Sequence, residues 1–319
     1  MRALITGITG QDGSYLAELL LASGYEVHGL VRRVSTGGMW RIEGIRDRLV
    51  IHDGDLVERG SVARLFKKSQ PDLVFNLAAQ SFVMASFDVP EYTADVDGLA
   101  VVRLLEEVRN SGRPIRFYQA STSEMFGTEL PPQNEGTRLH PRSPYGAAKC
   151  FAHWSCINYR EAYGMHVSCG ILFNHESPRR GQEFVTRKIA AGAARIKLGL
   201  QSKLVLGNLD AQRDWGYAPD YCAAMLKMLE QDKPDDYVIA TGRTRSIREF
   251  LDAAFGCVML DWRDYVETEQ ALHRPSEVPT LCGDASKARK VLGWRPTVAF
   301  EEMVAQMVHA ELVRARENR

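Results

Sequence analysis

The sequence has no excess of either charge. Forty Lys and Arg residues balance forty Asp and Glu residues over 319 positions, for a formal net charge of zero. This excludes a basic tail for nucleic acid and a polybasic anchor for an anionic lipid surface. Any basic residue that matters must act locally. Cysteine is sparse and unpatterned. Cys150, Cys156, Cys169, Cys222, Cys257 and Cys282 form no C-x-x-C pair and no metal-ligand spacing, so reduced thiols and no metal centre are expected. Long apolar runs are missing too. None reaches the ~20 residues that span a bilayer, and the opening MRALITGITG lacks the charged and apolar blocks of a secretion signal. A cytoplasmic chain with no nucleic-acid and no membrane partner is expected. The rest is ordinary globular composition, 45% hydrophobic and 25% charged. A chain of this length buries roughly 75% of its unfolded surface and needs no covalent staples.

The first half alternates short β-rich runs with helical patterns. Strand-like runs fall at residues 3–6, 26–31, 49–52, 73–77, 116–119 and 167–172, and helical periodicity at 15–21, 61–68, 98–111 and 145–163. Such alternation predicts a Rossmann-type α/β fold, a doubly wound parallel sheet covered on both faces with right-handed crossovers. The second half is less regular. Helices are expected at 185–198, 219–230, 246–255, 286–291 and 300–316, with strands at 204–206 and 237–240. No repeat, low-complexity segment or linker offers a clean cut. Two interleaved domains are therefore expected: residues 1–173 with 210–242 for a dinucleotide, and residues 174–209 with 243–319 as a smaller α/β unit for substrate.

Gly7, Gly10 and Gly13 follow the first strand as G-x-x-G-x-x-G and lead into an amphipathic stretch. Residues without a Cβ permit the tight turn and the close approach of a pyrophosphate. The helix behind the turn presents free N–H groups and a partial positive charge. At the end of the second strand, where an acid would favour NAD, stand Arg32 and Arg33, followed by Ser35. Paired guanidinium groups suit a 2′-phosphate, which favours NADP. Asp55 and Leu56 follow the third strand, where an adenine contact falls.

Tyr145 and Lys149 form Y-x-x-x-K in a helical pattern, which puts both on one helix face. The ammonium lowers the phenol's pKa, and the phenol can then exchange a proton with a carbinol while hydride moves. The strand ending in Ala120, Ser121, Thr122 and Ser123 supplies a hydroxyl to complete the set. Glu124 follows directly. A plain alcohol dehydrogenase has no use for that carboxylate. Beside substrate it suggests a second proton-transfer task, first as base and then as acid.

These motifs resemble those of the GDP-mannose 4,6-dehydratases, a family of nucleotide-sugar dehydratases within the extended short-chain dehydrogenases. The strings G-I-T-G-Q-D-G-S-Y-L-A-E, N-L-A-A-Q-S-F-V, Y-Q-A-S-T-S-E-M-F-G, P-R-S-P-Y-G-A-A-K, I-L-F-N-H-E-S-P-R-R-G, E-F-V-T-R-K, G-N-L-D-A-Q-R-D-W-G-Y-A and R-P-S-E-V carry the resemblance from residue 4 to residue 278. It implies oxidation at sugar C4, loss of water across C5 and C6, and reduction at C6. Tyr145 would handle the C4 hydroxyl proton and Glu124 the C5 proton and the departing water. Thr122 would hydrogen-bond the C4 oxygen, and Lys149 would hold the ribose. The resemblance also implies NADP contacts at Gly7, Thr9, Gly10, Gln11, Asp12, Gly13, Arg32, Arg33, Ser35, Asp55, Leu56, Leu77, Ala78, Ala79, Gln80, Ser81, Tyr92, Lys149, His175 and Arg180. Contacts to the GDP-linked sugar are implied at Ser81, Ser123, Glu124, Asn174, Val185, Lys188, Asn208, Arg213, Arg274 and Glu277. A homo-oligomer, dimer or tetramer, is implied as well.

The chain departs from the family pattern in the loop V-S-T-G-G-M-W-R after Arg33 and at Phe82, where some members carry His. The first bears on subunit contacts and the second on the sugar accepted. Three alternatives share most of the motifs. A dehydratase for GDP-D-glycero-D-manno-heptose would differ only near the sugar's C6. A GDP-4-keto-6-deoxymannose reductase has no need of Glu124. A non-catalytic nucleotide-sugar-binding module has no need to keep Thr122, Glu124, Tyr145 and Lys149 together.

Overall fold

The computed structural model describes residues 1–33, 38–270 and 276–317. The chain begins with β1 (Arg2–Thr6), α1 (Gln11–Ala22), β2 (Glu26–Val31), β3 (Leu49–Asp53), α2 (Arg59–Ser69) and β4 (Leu73–Asn76). Two short helices, α3 (Ala85–Asp88) and α4 (Pro90–Ala94), lead through a π-helical turn (Asp95–Leu99) into α5 (Ala100–Asn110). Then come β5 (Arg116–Thr122), α6 (Pro144–Tyr163), β6 (Val167–Leu172), β7 (Asn174–Glu176), α7 (Val185–Lys197), β8 (Leu204–Leu206) and β9 (Gln212–Tyr217). The remainder is α8 (Ala218–Glu230), β10 (Asp236–Ile239), β11 (Thr244–Ser246), α9 (Ile247–Gly256), β12 (Val266–Thr268), α10 (Ser286–Val291) and α11 (Phe300–Glu317).

Seven of these strands make one sheet in the order β10-β6-β5-β4-β1-β2-β3, with every neighbouring pair parallel. This is the doubly wound arrangement that the alternation predicts. Its inner strands are apolar on both faces. All four residues of β4 and all six of β6 are buried, because helices cover each side. Ala3 and Ile5 of β1 share one core with Leu16 and Leu20 of α1 and Met225 and Met228 of α8. Leu4 points the other way, into a core with Leu65 of α2, Leu104 of α5 and Ala152 of α6. Strand order reverses between β1 and β4, and a crevice opens there at the carboxyl ends of the strands.

A third core lies outside the sheet. Ile189 and Ala193 of α7, Phe250 and Ala254 of α9, and Met303 and Met307 of α11 close around Trp215. Two small sheets, β11-β9-β7 and β12-β8, edge this region. β9 is not legible as a strand, because Gln212, Arg213 and Asp214 read as loop. It is a strand all the same. The buried Asp214 carboxylate accepts from Thr241 N (2.9 Å), Thr241 Oγ1 (2.6 Å) and Gly242 N (2.8 Å), so the polar group is satisfied inside. Residues 243–319 do not all pack into one core. Val278, Leu281, Ala285, Ala288, Leu292 and Trp294 pack into the core of α1 and α8, not into that of α7 and α11.

The stretch between these cores is pinned by Asp220, near the start of α8. Its carboxylate accepts from Thr297 N at 2.8 Å, Thr297 Oγ1 at 2.5 Å and Val298 N at 3.4 Å, while its own carbonyl takes the Trp294 indole N–H at 2.7 Å. Removing the carboxylate strands two backbone donors. We expect Asp220→Ala to lower stability by about 2–4 kcal/mol, read as a reduced midpoint in urea unfolding followed by circular dichroism. An unchanged midpoint would show that the Asp220 carboxylate does not hold this stretch in place.

Candidate active site

The carboxyl ends of β1, β4, β5 and β6 open into a cavity of about 870 Å³ that reaches across to α7 and β9. At one end lies the glycine turn. Gly7 has φ near +71°, and a Cβ there would sit 2.8 Å from Ala78 N. A Cβ on Gly13 would sit 2.2 Å from Gly7 O. The turn therefore packs backbone on backbone. The N-terminus of α1 carries no side-chain cap and faces the cavity through Gly10 and Gln11. A floor without side chains and a helix end rich in unpaired N–H groups fit the pyrophosphate of a dinucleotide.

Gly7, Thr9, Gly10, Gln11, Asp12 and Gly13 line this end together with Leu77, Ala78, Ala79, Gln80 and Ser81 from the exit of β4. Arg32, Asp55, Leu56 and Tyr92 line the far corner beyond β2 and β3, where the Arg32 guanidinium donates to the Tyr92 hydroxyl. Arg33 is exposed and does not line the cavity. Ser35 and Arg274 lie outside the described residues. His175 and Arg180 also reach the wall, but His175 is committed to the protein. Nδ1 faces Phe173 O at 2.7 Å and Nε2 faces the Asp12 carboxylate at 2.8 Å. Both partners accept, an arrangement that favours the imidazolium. Burial opposes that charge, but the Asp12 carboxylate outweighs it and raises the pKa of His175.

The reacting end is built by β5 and α6. Ser143 caps α6 by accepting from Gly146 N at 3.0 Å, with Pro144 in the first turn. Tyr145 is thus fixed at the helix start and Lys149 one turn on. Thr122, Ser123 and Glu124 end β5 beside them, and all five side chains are buried against the cavity. The Thr122 hydroxyl accepts from Glu124 N at 3.3 Å and lies near enough to the Tyr145 phenol to lower its pKa. Lys149 Nζ donates to Ala120 O at 3.1 Å and lies 5.8 Å from the Tyr145 ring centre. Burial pushes the Tyr145 phenol up, and the charge of Asp97 adds to the rise. The Thr122 hydroxyl pulls it back. Burial lowers Lys149, and Asp97 opposes that loss.

On the opposite wall stand Asn174, Val185, Lys188, Asn208, Arg213 and Glu277. The Arg213 guanidinium donates to Glu277 Oε1 at 3.3 Å and to Val278 O at 2.8 Å. Phe82 packs edge-on against Phe184, with ring centres 5.9 Å apart, and Arg180 stacks over the other ring at 3.6 Å.

Two residues of the site escape a reading of the sequence. Asp97 resembles any surface acid of a helix, and no signal marks it. Arg41 follows Trp40 in the V-S-T-G-G-M-W-R loop, lines the cavity and donates to Thr9 O and to Arg179 O, the latter at 2.7 Å. It belongs to a set. Arg314 donates to Pro178 O at 2.7 Å and Arg187 to Arg180 O at 2.6 Å, so three arginines each hold one of three successive carbonyls. Burial and the neighbouring cations Arg187, Arg314 and Arg179 bring Arg41 down to about 10. Away from the cavity, His153, Cys169 and Asp236 lie within 4.8 Å of one another. Asp236 is already held bidentately by Arg160, and His153 by Ser121.

The chain is similar to known proteins in sequence and fold. A sequence model of the GDP-mannose 4,6 dehydratase family matches residues 4–307. GDP-mannose 4,6 dehydratase 2 of Arabidopsis thaliana is 56% identical over 98% of this chain and 87% of its own length. The GDP-mannose 4,6 dehydratase of Homo sapiens is 48% identical over 99% and 92%. Among solved structures, a Thermus thermophilus UDP-glucose 4-epimerase in complex with NAD superposes with a TM-score of 0.84 at 28% identity, covering 98% of this chain and 99% of that one. A Bacillus anthracis dTDP-glucose 4,6-dehydratase with NAD has the same fold, with a TM-score of 0.86 at 22% identity over 99% and 98%. With the family matched across nearly its whole length and the motif residues gathered around one crevice, the chain belongs to the GDP-mannose 4,6-dehydratase family.

Proposed function

We propose that this protein is a hydro-lyase that converts GDP-D-mannose to GDP-4-dehydro-6-deoxy-D-mannose and holds NADP as its resident cofactor. The observation that carries the reading is the meeting of Thr122, Glu124, Tyr145 and Lys149 on one cavity whose other end is the glycine turn. A nicotinamide dinucleotide bound there supplies a hydride acceptor and, when reduced, a hydride donor.

The chain's own residues move the protons. Tyr145 takes the proton of the C4 hydroxyl while Thr122 holds the C4 oxygen by a hydrogen bond. Lys149, tied to Ala120, keeps a positive charge beside the phenol and favours its ionised form. Once C4 is a carbonyl, the proton at C5 is acidic. Glu124 removes it and passes it to the C6 hydroxyl, which leaves as water. The proton later restored at C5 balances the one that Tyr145 took. The sum is loss of one water with no net oxidation. Phe82, Phe184 and the lid-like wall of α7 keep bulk water from the sugar, which protects the unsaturated intermediate.

The choice of NADP rests on Arg32, placed at the ribose corner with Tyr92 beside it. The choice of GDP rests on the cations Lys188 and Arg213, and on Glu277 as an acceptor for hydroxyl or amine donors. Leu99, Phe151 and Trp154 stand exposed on the adjoining π-helical turn and α6, with Phe151 in reach of Gly98. This apolar surface supports a homo-oligomer. Residues 174–209 with the α9 and α11 regions form the nucleotide-sugar side, and the parallel sheet forms the dinucleotide side.

Glu124→Gln tests the assignment. It should bind cofactor and GDP-mannose as before but lose water on the order of a hundredfold more slowly, followed by product mass and by the absorbance of the 4-keto sugar. Dehydration at the normal rate would remove Glu124 from the proton transfers. For the cofactor, Arg32→Ala should weaken NADP binding by about tenfold or more and leave NAD nearly unchanged, measured by fluorescence titration. Equal losses for both would take away the argument from the 2′-phosphate.

A further inference from the structure

Asp97 is a buried acid beside the site whose position the assigned chemistry leaves unexplained. It sits in the π-helical turn Asp95–Leu99, between α4 and α5. Such turns displace one residue from the regular helical face, and they recur at functional sites. The side chain is fully buried. Oδ1 accepts from Gln80 N at 2.7 Å, in the loop that lines the cavity. Oδ2 is equally buried and makes no hydrogen bond to a described residue. A carboxylate oxygen left so is costly, and it calls for an electrostatic reason.

The surroundings supply one. α6 packs against the π-helical turn and presents Lys149 and Tyr145, both within the field of Asp97. From the exit of β4 comes only the neutral N–H of Gln80. The acid on the same turn, Asp95, is turned outward and paired with Arg103 at 2.6 Å. Lys149 has no carboxylate within ion-pairing distance among the described residues, and its single hydrogen bond goes to a neutral carbonyl. Asp97 is a buried carboxylate whose charge acts on that buried ammonium without touching it.

Resting on the dehydratase reading above, we propose that Asp97 is a positioning residue of the reaction: its carboxylate keeps Lys149 charged and aimed at Tyr145, and at the same time fixes the Gln80 backbone at the cavity wall. The proposal has a pH signature. Burial pushes the carboxyl of Asp97 up to about 6, against the field of Lys149 and the Gln80 N–H. Above that value the carboxylate is charged and its field offsets the desolvation of Lys149. As pH falls through it, Asp97 takes up a proton, and the buried ammonium loses that field. Activity should therefore have an acidic limb near the titration of Asp97.

Asp97→Asn is close to isosteric, and its amide oxygen can still accept from Gln80 N. Two measurements test it. Infrared difference spectra of the nucleotide-free protein, taken between roughly pH 5 and 8, should show a protonated-carboxyl band that grows as pH falls with a midpoint near 6. That band should be missing from Asp97→Asn. Steady-state assays with GDP-mannose should show kcat of Asp97→Asn reduced by about tenfold or more at neutral pH, with KM little changed and the acidic limb gone. Asp97→Glu should recover part of kcat and move the limb. Melting curves of each variant report whether it is folded. A folded Asp97→Asn with normal kcat, or with reduced kcat but an unaltered acidic limb, would overturn the proposal. So would a wild-type spectrum that matches that of the variant. If the wild type fails to dehydrate GDP-mannose, the reading of the substrate falls, and the infrared band still decides the role of Asp97.

Discussion

The ammonium of Lys149 donated to the carbonyl of Ala120 is a single hydrogen bond between a helix and a strand, and the chemistry of the site depends on it. It sets α6 against the carboxyl end of β5. With that contact in place, Thr122 meets Tyr145 and Glu124 stands beside both. The bond costs the lysine its hydration, and burial presses it toward neutrality. The surrounding structure offsets this. Ser143 starts the helix at the right residue, and Asp97 arrives from a distorted turn to balance the charge. Positions remote in sequence are thereby reduced to one electrostatic unit.

The parallel sheet is legible in the sequence because its physics is local. Central strands are short apolar runs, and their crossover helices are amphipathic, so β2, β6, β8 and α10 begin and end where pattern alone puts them. Helix caps sharpen other boundaries. Ser246 and Glu249 form a reciprocal capping box at the start of α9, and the pattern places that helix from Ser246 onward. The side chains gathered between β5 and α6 are legible for a related reason. A spacing of four on a helix, or direct succession at a strand end, already fixes which side chains share a face.

What stays hidden depends on contacts between distant segments. β9 carries Arg213 and Asp214 into the interior, where Val278 O and Glu277 accept from the first and Thr241, Gly242 and Gly283 donate to the second. No window of sequence contains both halves of that arrangement. Asp97 is an acid in a helical stretch until α6 packs over it. His175 is expected at the cofactor. It does reach the wall, yet both ring nitrogens are committed to Phe173 and Asp12. Arg33 stands next to Arg32 in sequence and is likewise exposed, but only Arg32 lines the cavity.

The grip on Pro178, Arg179 and Arg180 has a bearing on how this loop can change. Each of the three carbonyls is held by a guanidinium from a different part of the chain: the segment after Trp40, α7 and α11. Main-chain oxygens are the same for every amino acid, so the grip reads spacing and is blind to residue type at those positions. One inserted or deleted residue would shift every oxygen past its cation at once. The loop is thus a ruler: this grip fixes its length and leaves the choice of side chains to their own contacts.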